Sequence, residues 1–273
     1  MRTLVMGATG VVGRRVVSTL AEAGVAVRAT SRDPRAAAIP SAEVVPTGTD
    51  AAALVEGCDA VLVTTSALGD APESRLAELL AAAVGHVVLL SSASAADPES
   101  PTGERYRPLE ALVTGSPAPW TVVRSVPFAL NTAHWWAAAI RAGGTVETPF
   151  PDVPTAPVDE RDVADALAAA LTGPALRRTI TLTGPHALSS RRQIAAIGDR
   201  LGRTLEVRAV SPDEVRARLG GAGVPRWAVD GLLRSFAHAQ EHGIAVTDAV
   251  PTLAGHPARS YVDWVADNDE AFR

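Results

Sequence analysis

The chain has 273 residues, of which 47% are hydrophobic, and a formal net charge of −5, so it is long enough for a large buried core. The negative charge argues against a nucleic-acid partner, because phosphate binding requires a basic surface, and no apolar stretch reaches the roughly 18–20 residues that cross a bilayer. The single cysteine, Cys58, excludes an internal disulfide and indicates a reducing cytoplasm.

The first half of the chain alternates predicted strands with predicted helices. The strands are predicted over residues 2–6, 25–32, 43–48, 59–66, 86–94 and 120–125. The helices are predicted over residues 11–24, 50–57, 72–85 and 104–116. Val- and Leu-rich strands separated by helices are typical of a parallel sheet that is covered on both faces. The predicted fold class is therefore α/β, with a doubly wound parallel sheet of Rossmann type.

The alternation weakens after residue 126. A further strand is predicted over residues 178–184, and a short one directly precedes the helix that begins near residue 211 or 212. The remaining helices are predicted over residues 127–143, 159–173, 189–203 and 225–243, and in the tail from residue 260. We expect this part of the chain to complete the sheet and to add a small C-terminal α/β lobe.

Three glycines, Gly7, Gly10 and Gly13, lie where the first strand turns into the first helix. The first permits a tight turn, the second lets a diphosphate approach the backbone, and the third lets the helix pack closely on the strand. N–H groups at the helix start then meet the diphosphate with the favourable end of the helix dipole. The pattern predicts dinucleotide binding; a purely structural turn is the alternative.

The end of the second strand indicates which dinucleotide is bound. NAD sites place an acidic residue there, about 20 residues after the glycines, to bind the ribose 2′-hydroxyl group. This chain has Thr30, Ser31 and Arg32 instead, followed by Asp33, which we expect to cap the next turn. A hydroxyl and a guanidinium suit a 2′-phosphate, so NADP is favoured over NAD. The alternative is that Arg32 is a solvated loop charge.

Seven sequence blocks in order resemble the NmrA-like branch of the atypical short-chain dehydrogenase/reductases: MGATGVVGRRVV, TSRDP, GCDAVLVTTSA, VVLLSSASA, WTVVRSVPFALN, VDERDVADALAAAL and LTGP. The resemblance implies an NADP-binding Rossmann core over residues 1–150, and mixed segments over residues 151–273 that complete the sheet and form a small substrate lobe. The residues that it assigns to the cofactor are Gly7, Thr9, Gly10, Val11, Gly13, Ser31, Arg32, Asp50 near the adenine, Thr64, Thr65, Ser66, and Ser91 near the nicotinamide.

The catalytic pattern of the wider superfamily is incomplete in this chain. That pattern is Tyr-x-x-x-Lys on one helix, where the lysine lowers the pKa of the tyrosine so that it can pass a proton to a carbonyl oxygen. Here Tyr106 is followed four residues later by Glu110, which is expected to raise the pKa of the phenol. The candidate donors are Tyr106 and Ser92, which ends the fifth strand. Alternatively, Tyr106 lines the cleft with no chemical role. Glu110 is expected to be structural and to bind backbone near the fifth strand.

Phe128, Asn131 and Trp135 are the candidate substrate contacts, because their segment matches one that crosses the cleft in the family. Trp135 and Trp136 together would line a pocket for a flat or lipophilic molecule. The alternative is that Phe128 packs in the core, with Trp135 buried and Trp136 half-exposed. The six histidines are far apart, and no cluster has metal-ligand spacing, so no metal site is predicted.

The leading interpretation is an NADPH-dependent oxidoreductase that reduces a small, largely apolar carbonyl, quinone or enone, as a monomer or homodimer. An intact Tyr106 and the tryptophan-rich segment favour an enzyme. Two alternatives stay open. One is a regulatory protein that senses NADP without turning it over, which the missing lysine favours. The other is redox-neutral isomerisation, dehydration or cyclisation in the same fold.

Overall fold

The computed structural model describes residues 1–82 and 85–273. Its strands are β1 (Arg2–Val5), β2 (Ala26–Ser31), β3 (Glu43–Pro46), β4 (Ala60–Thr64), β5 (His86–Ser92), β6 (Trp120–Ser125), β7 (Val146–Thr148), β8 (Pro154–Thr155), β9 (Thr179–Leu182), β10 (Leu188–Ser189) and β11 (Val207–Ala209). Its α-helices are α1 (Val11–Glu22), α2 (Ala51–Val55), α3 (Pro72–Ala81), α4 (Pro101–Glu104), α5 (Arg107–Gly115), α6 (Asn131–Arg141), α7 (Glu160–Thr172), α8 (Ser190–Leu201), α9 (Pro212–Gly221), α10 (Arg226–His242), α11 (Ala249–Ala254) and α12 (Tyr261–Asp267). Among the described residues, no helix has the length and apolar character needed to cross a membrane.

Seven strands form one parallel sheet in the order β3-β2-β1-β4-β5-β6-β9. In β1, Val5 lies opposite Ala29 of β2 on one side and Leu62 of β4 on the other. The chain therefore extends the sheet first in one direction from β1 and then in the other. Ligands of doubly wound sheets bind at the carboxyl ends of the strands near this reversal, which is where the glycine loop follows β1. The predicted α/β fold class is confirmed.

Helices cover both faces of the sheet. On one face, α1 and α7 pack together, and Val16 and Leu167 share a core with Val88 of β5. On the other face, Leu76 of α3 and Leu109 of α5 belong to a second core. The sheet is therefore buried on both sides, which explains why its strands are continuous apolar runs.

The first helix shows how the sequence specifies this layer. Val12, Val16 and Leu20 recur at helical spacing and are all buried. The helix ends shortly before Gly24, whose φ of +73° is left-handed, a conformation that glycine adopts without steric cost. The helix therefore turns the chain back directly into β2.

A smaller lobe is built from the remaining elements. β7 pairs in parallel with β11, and β8 pairs antiparallel with β10. Trp136 of α6, Ile194 of α8 and Trp264 of α12 share one core, and Val215 of α9 and Leu233 of α10 share another. The C-terminal part of the chain thus contributes β9 to the main sheet and α7 to the helices that cover it, as well as most of this lobe.

The structure differs from the predicted elements in three ways. The predicted helix over residues 104–116 is two helices, α4 and α5, because the ring of Pro108 cannot follow an unbroken helical turn and is tolerated only in the first turn of α5. β7, β8, β10 and α11 were not predicted; they span two to six residues, too few to show a periodicity. The predicted helix over residues 72–85 ends at Ala81, and Ala83 and Val84 lie outside the described residues.

Candidate functional site

The glycine loop between β1 and α1 is tightly packed on its inner side. Gly7 has a left-handed φ of +83°, and a Cβ added there would collide with the Thr64 hydroxyl group. A Cβ on Gly13 would collide with the carbonyl oxygen of Gly7. The packing of the loop itself therefore requires both glycines.

Gly10 is not required by the packing of the loop. Its φ of −76° and ψ of 168° suit any residue, and the atom nearest to an added Cβ is the Gly7 carbonyl oxygen at 3.4 Å. Gly10 is also the N-cap of α1, and among the described residues no side chain caps this helix and its first turn has no acidic residue. Thr9 and Val11 beside it are exposed. The N–H groups at the start of α1 are therefore free, and the space beside Gly10, which a Cβ would fill, lies next to them. Such a helix start suits the diphosphate of a dinucleotide.

The end of β2 presents one unpaired cation. The Ser31 hydroxyl donates to the carbonyl oxygen of Asp33 at 2.9 Å and accepts from its N–H at 3.1 Å, and it is buried. The Asp33 carboxylate accepts from the N–H groups of Arg35 and Ala36, so the predicted cap is confirmed. The Arg32 side chain is exposed and has no ion pair within the described part of the chain. Arg32 is therefore free to meet a phosphate, whereas the Ser31 hydroxyl already shapes the turn.

The other predicted cofactor residues lie at the ends of β3 and β4. Asp50 caps α2, accepting from the N–H groups of Ala52 and Ala53. Thr64 donates to the carbonyl oxygen of Met6 at 3.2 Å and lies against Gly7. The exposed hydroxyl of Ser66 is 3.5 Å from that of Thr64.

Thr65 follows β4 directly, and its Oγ1 is buried without a well-formed hydrogen bond among the described residues. This hydroxyl lies at the carboxyl edge of the sheet, beside the Tyr106 phenol.

Ser91 does not face the edge where a cofactor is expected, which corrects its predicted assignment. Its buried hydroxyl donates to the Glu110 carboxylate. Glu110 also binds Arg124 of β6 through both carboxylate oxygens, at 2.9 and 2.6 Å. Side chains alternate across a strand, so Ser91 points toward α5 and Ser92 points to the other face. Glu110 is structural, as predicted, but its partners are side chains, not backbone groups.

Tyr106 and Ser92 lie next to the cofactor edge. Tyr106 is the N-cap of α5 and is largely buried beside Thr65. Burial raises the pKa of its phenol, and the nearby Thr65 hydroxyl and Arg105 oppose this shift. The predicted direction of the pKa shift is therefore correct, but its predicted cause, Glu110, is wrong. The Ser92 side chain accepts a hydrogen bond from the Ser94 N–H at 3.2 Å, which leaves its own proton free to donate.

A largely apolar cavity of about 160 Å³ opens beyond the carboxyl ends of β5 and β6. Phe128 and Trp135 line it, whereas Asn131 does not and instead begins α6. Sequence reasoning missed the opposite wall, formed by α10 with Leu232 and Phe236. The amphipathic pattern of residues 225–243 predicts this helix but not what it faces.

Of the two neighbouring tryptophan side chains, one lines the cavity and the other packs in the core of the lobe. Trp135 is 39% exposed and lines the cavity, whereas Trp136 is 3% exposed and packs in the lobe core. Their rings meet edge to face, with centroids 6.1 Å apart. The predicted pocket formed by both rings is therefore corrected to one ring, and the alternative with Trp135 buried is wrong.

One corner of the cavity is polar. Asp97, after β5, is buried and accepts from Arg234 Nε of α10 at 2.7 Å. Burial acts to raise the pKa of Asp97, but hydrogen bonds from Arg234 and from the Glu99 N–H hold it below its ordinary value. His238 of α10 lines the same corner, with Nδ1 3.6 Å from Asp97 Oδ2. Sequence reasoning missed this group as well.

One cluster in the described residues has potential metal ligands: Asp162, Asp165 and His256. The Arg259 guanidinium donates to both of these carboxylates, and its backbone N–H donates to Asp162 at 2.7 Å. Asp162 therefore anchors the loop before α12. The cluster already holds a cation in the form of the arginine.

A family model described as NAD(P)H-binding matches residues 7–174, from the glycine loop to just past α7. The chain belongs to this family. A relative in Streptomyces griseus, named (4-alkanoyl-5-oxo-2,5-dihydrofuran-3-yl)methyl phosphate reductase, is 39% identical over 98% of both chains. The chain is accordingly an NAD(P)H-dependent oxidoreductase, so the predicted enzyme class and the predicted nicotinamide cofactor are confirmed.

Two solved structures share the fold over nearly the whole chain. An NADPH-dependent quinone oxidoreductase of Escherichia coli superposes with a TM-score of 0.83 at 20% identity, covering 98% of this chain and 99% of that one. NmrA, a negative transcriptional regulator solved with NADP, superposes with a TM-score of 0.74 at 20% identity, covering 99% and 97%. Both superpositions show that this chain has the predicted Rossmann-like fold.

Proposed function

We propose that the enzyme reduces a small, largely apolar carbonyl, quinone or enone in the cavity beyond β5 and β6. The observation that carries this proposal is the position of the cavity. It combines the aromatic side chains of Phe128, Trp135 and Phe236 with the segment that directly follows Ser92. Apolar clefts with few polar groups are typical of sites for small lipophilic ligands.

The residues around the glycine loop suit NADPH. The uncapped start of α1 and the space beside Gly10 would hold the diphosphate, and the exposed Arg32 would hold the 2′-phosphate. When bound, NADPH supplies a hydride and its two electrons to the substrate. The protein then has to hold the substrate against the nicotinamide, exclude water, and stabilise the oxygen that gains the electron pair.

Tyr106 and Ser92 are the proposed hydrogen-bond donors on the cofactor side of the site. A raised pKa keeps the Tyr106 phenol protonated, so it can donate a hydrogen bond but is a poor phenolate base. Ser92 keeps its proton available because its oxygen accepts from the Ser94 N–H. Both groups would polarise the substrate without the lysine that the superfamily pattern contains.

The relative's name favours the enone member of the proposed substrate class. Its substrate carries a ring carbonyl, an alkanoyl group and a methyl phosphate on a dihydrofuran ring, and the enone is the part that the proposed substrate class shares with it. An alkanoyl chain would lie against apolar side chains of the cavity such as Phe236 and Ile244. We further propose that residues 1–150 carry the cofactor site, with residues 151–273 shaping the substrate lobe. The proposal includes a cytoplasmic monomer or homodimer.

The experiment is to incubate the purified protein with NADPH and a panel of quinones, ketones and enones, and to follow the absorbance of reduced nicotinamide. The expected result is NADPH oxidation with at least one enone or quinone, and product reduced by two electrons. Tight NADPH binding without oxidation across the panel would contradict the proposal and would favour a sensing role or redox-neutral chemistry. A parallel reaction without acceptor controls for oxidation by dissolved oxygen.

A further inference from the structure

The substrate cavity has a polar corner that the catalytic pattern of Tyr106 and Ser92 does not use. Among the described residues that line the cavity, the ionisable side chains are Asp97 and His238. They lie together, with His238 Nδ1 3.6 Å from Asp97 Oδ2. Tyr106 is outside this lining, beside Thr65. An apolar cavity with one converging polar pair is the arrangement expected where a substrate oxygen is bound.

The Asp97 carboxylate already accepts hydrogen bonds from two groups of the protein. It accepts from Arg234 Nε at 2.7 Å and from the N–H of Glu99 at 3.0 Å. Arg234 in turn lies 3.1 Å from Glu99 and 3.4 Å from Glu241. A carboxylate held this way accepts hydrogen bonds and has no proton to give. His238 is therefore the ionisable group of the lining that can supply one.

The His238 ring is oriented with one nitrogen inward. Nδ1 is buried and has no hydrogen-bond partner among the described residues, although it faces Asp97. The side chain is 41% exposed as a whole, and His238 lines the cavity. At 3.6 Å the Nδ1 contact is longer than a hydrogen bond but within ion-pair distance of the Asp97 carboxylate.

We propose that protonated His238, oriented by Asp97, donates the proton of the reduction to the substrate oxygen. This role rests on the proposed function. As the substrate carbon gains a hydride, its π-electron pair moves to the oxygen, and the Nε2–H bond of the imidazolium breaks as the new O–H bond forms. The neutral ring keeps Nδ1–H toward Asp97 and regains a proton from solvent. The sum is substrate, NADPH and one proton giving reduced substrate and NADP⁺.

The test compares His238→Gln with His242→Gln, using NADPH and a quinone or enone acceptor. His242 is a matched control, because it lies one turn further along α10, is exposed, and has its ring centroid 4.6 Å from that of His238. Loss of a positioned proton donor lowers kcat about 100-fold or more. We expect that loss in His238→Gln, a change of less than about twofold in His242→Gln, and an unchanged NADPH Kd in both.

A cationic triphenylmethane dye serves as the second acceptor. Hydride addition alone neutralises this cation, so its reduction needs no proton, and His238→Gln should reduce it at close to the wild-type rate. An equal loss on both acceptors would mean that His238 only shapes the cavity and would overturn the proposal. So would an unchanged kcat with the quinone or enone. Wild-type enzyme that oxidises no NADPH would instead overturn the proposed function, and the two failures are thus distinguishable.

Discussion

Replacing Gly10 and Gly13 by alanine, one at a time, separates the two uses of glycine in the loop after β1. A methyl group on Gly13 would collide with the Gly7 carbonyl oxygen and lie 2.9 Å from Ala8 Cα. Both are backbone atoms, so relief requires the loop to move, and overpacking of this kind costs about 1–3 kcal/mol. On Gly10 the nearest atom is at 3.4 Å, so the cost is mainly that of alanine at an N-cap, about 0.5 kcal/mol.

For cofactor binding, the direct effect is expected from Gly10→Ala and only an indirect effect from Gly13→Ala. The Gly10→Ala methyl group would stand where the diphosphate approaches the N–H groups of α1, without moving the loop. Each hydrogen bond to a charged group contributes about 1.5–3 kcal/mol, so the loss of one weakens NADPH binding about 10- to 150-fold. Gly13→Ala weakens binding only as a consequence of the distorted loop.

The assay is a fluorescence titration with NADPH together with thermal unfolding of the free protein. Gly115→Ala is the control, because an added Cβ there has no atom of the described residues within 4 Å apart from those of its own helix and chain neighbours, and it should bind NADPH like the wild type. Gly10→Ala should keep a Tm close to that of the wild type and lose affinity, whereas Gly13→Ala should lose Tm. A Gly10→Ala variant with wild-type Kd would refute the reasoning about the outer side of the loop.

Three further variants test other parts of the site. Arg32→Ala should weaken NADPH binding about 10- to 100-fold, because a charge-assisted contact to the 2′-phosphate is lost, and should leave NADH binding unchanged. Arg178→Ala, at the amino end of β9, is the control. An equal loss of affinity for both cofactors would count against the assignment of Arg32 to the 2′-phosphate. Glu110→Ala should lower the free energy of unfolding, measured by urea denaturation, by about 2–4 kcal/mol, because the largely buried Arg124 guanidinium loses the Glu110 carboxylate that pairs with it. A change in the free energy of unfolding below about 0.5 kcal/mol would contradict this. Tyr106→Phe should lower kcat about tenfold, the contribution of one hydrogen bond, with NADPH Kd unchanged; unaltered turnover would remove Tyr106 from the mechanism.

The sheet and the glycine loop could be predicted because their signals are local. Val12, Val16 and Leu20 show a helical period within a dozen residues, and the glycines fall between a strand and this helix. The role of Asp33 as a turn cap could be predicted for the same reason: its hydrogen-bond partners lie only two and three residues further along the chain.

The substrate side of the site could not be predicted, because its contacts join distant parts of the chain. Asp97 and Arg234 are 137 residues apart, and nothing in either segment indicates the other. Ser91 was misassigned because the end of a strand offers two neighbouring serines, and which one faces the cofactor edge depends on the register of the pleat. The position of Glu110 against Arg124 in turn decides the environment of Ser91.

Transfer of deuterium from NADPH labelled at the nicotinamide C4 tests the central claim most directly. With an enone or quinone that the enzyme accepts, a reductase holding both molecules as proposed should place one deuterium from one face of the nicotinamide in the reduced product, as detected by mass spectrometry. Product that carries only solvent hydrogen, or labelled NADPH that stays intact while the acceptor is transformed, would contradict hydride transfer in this cavity.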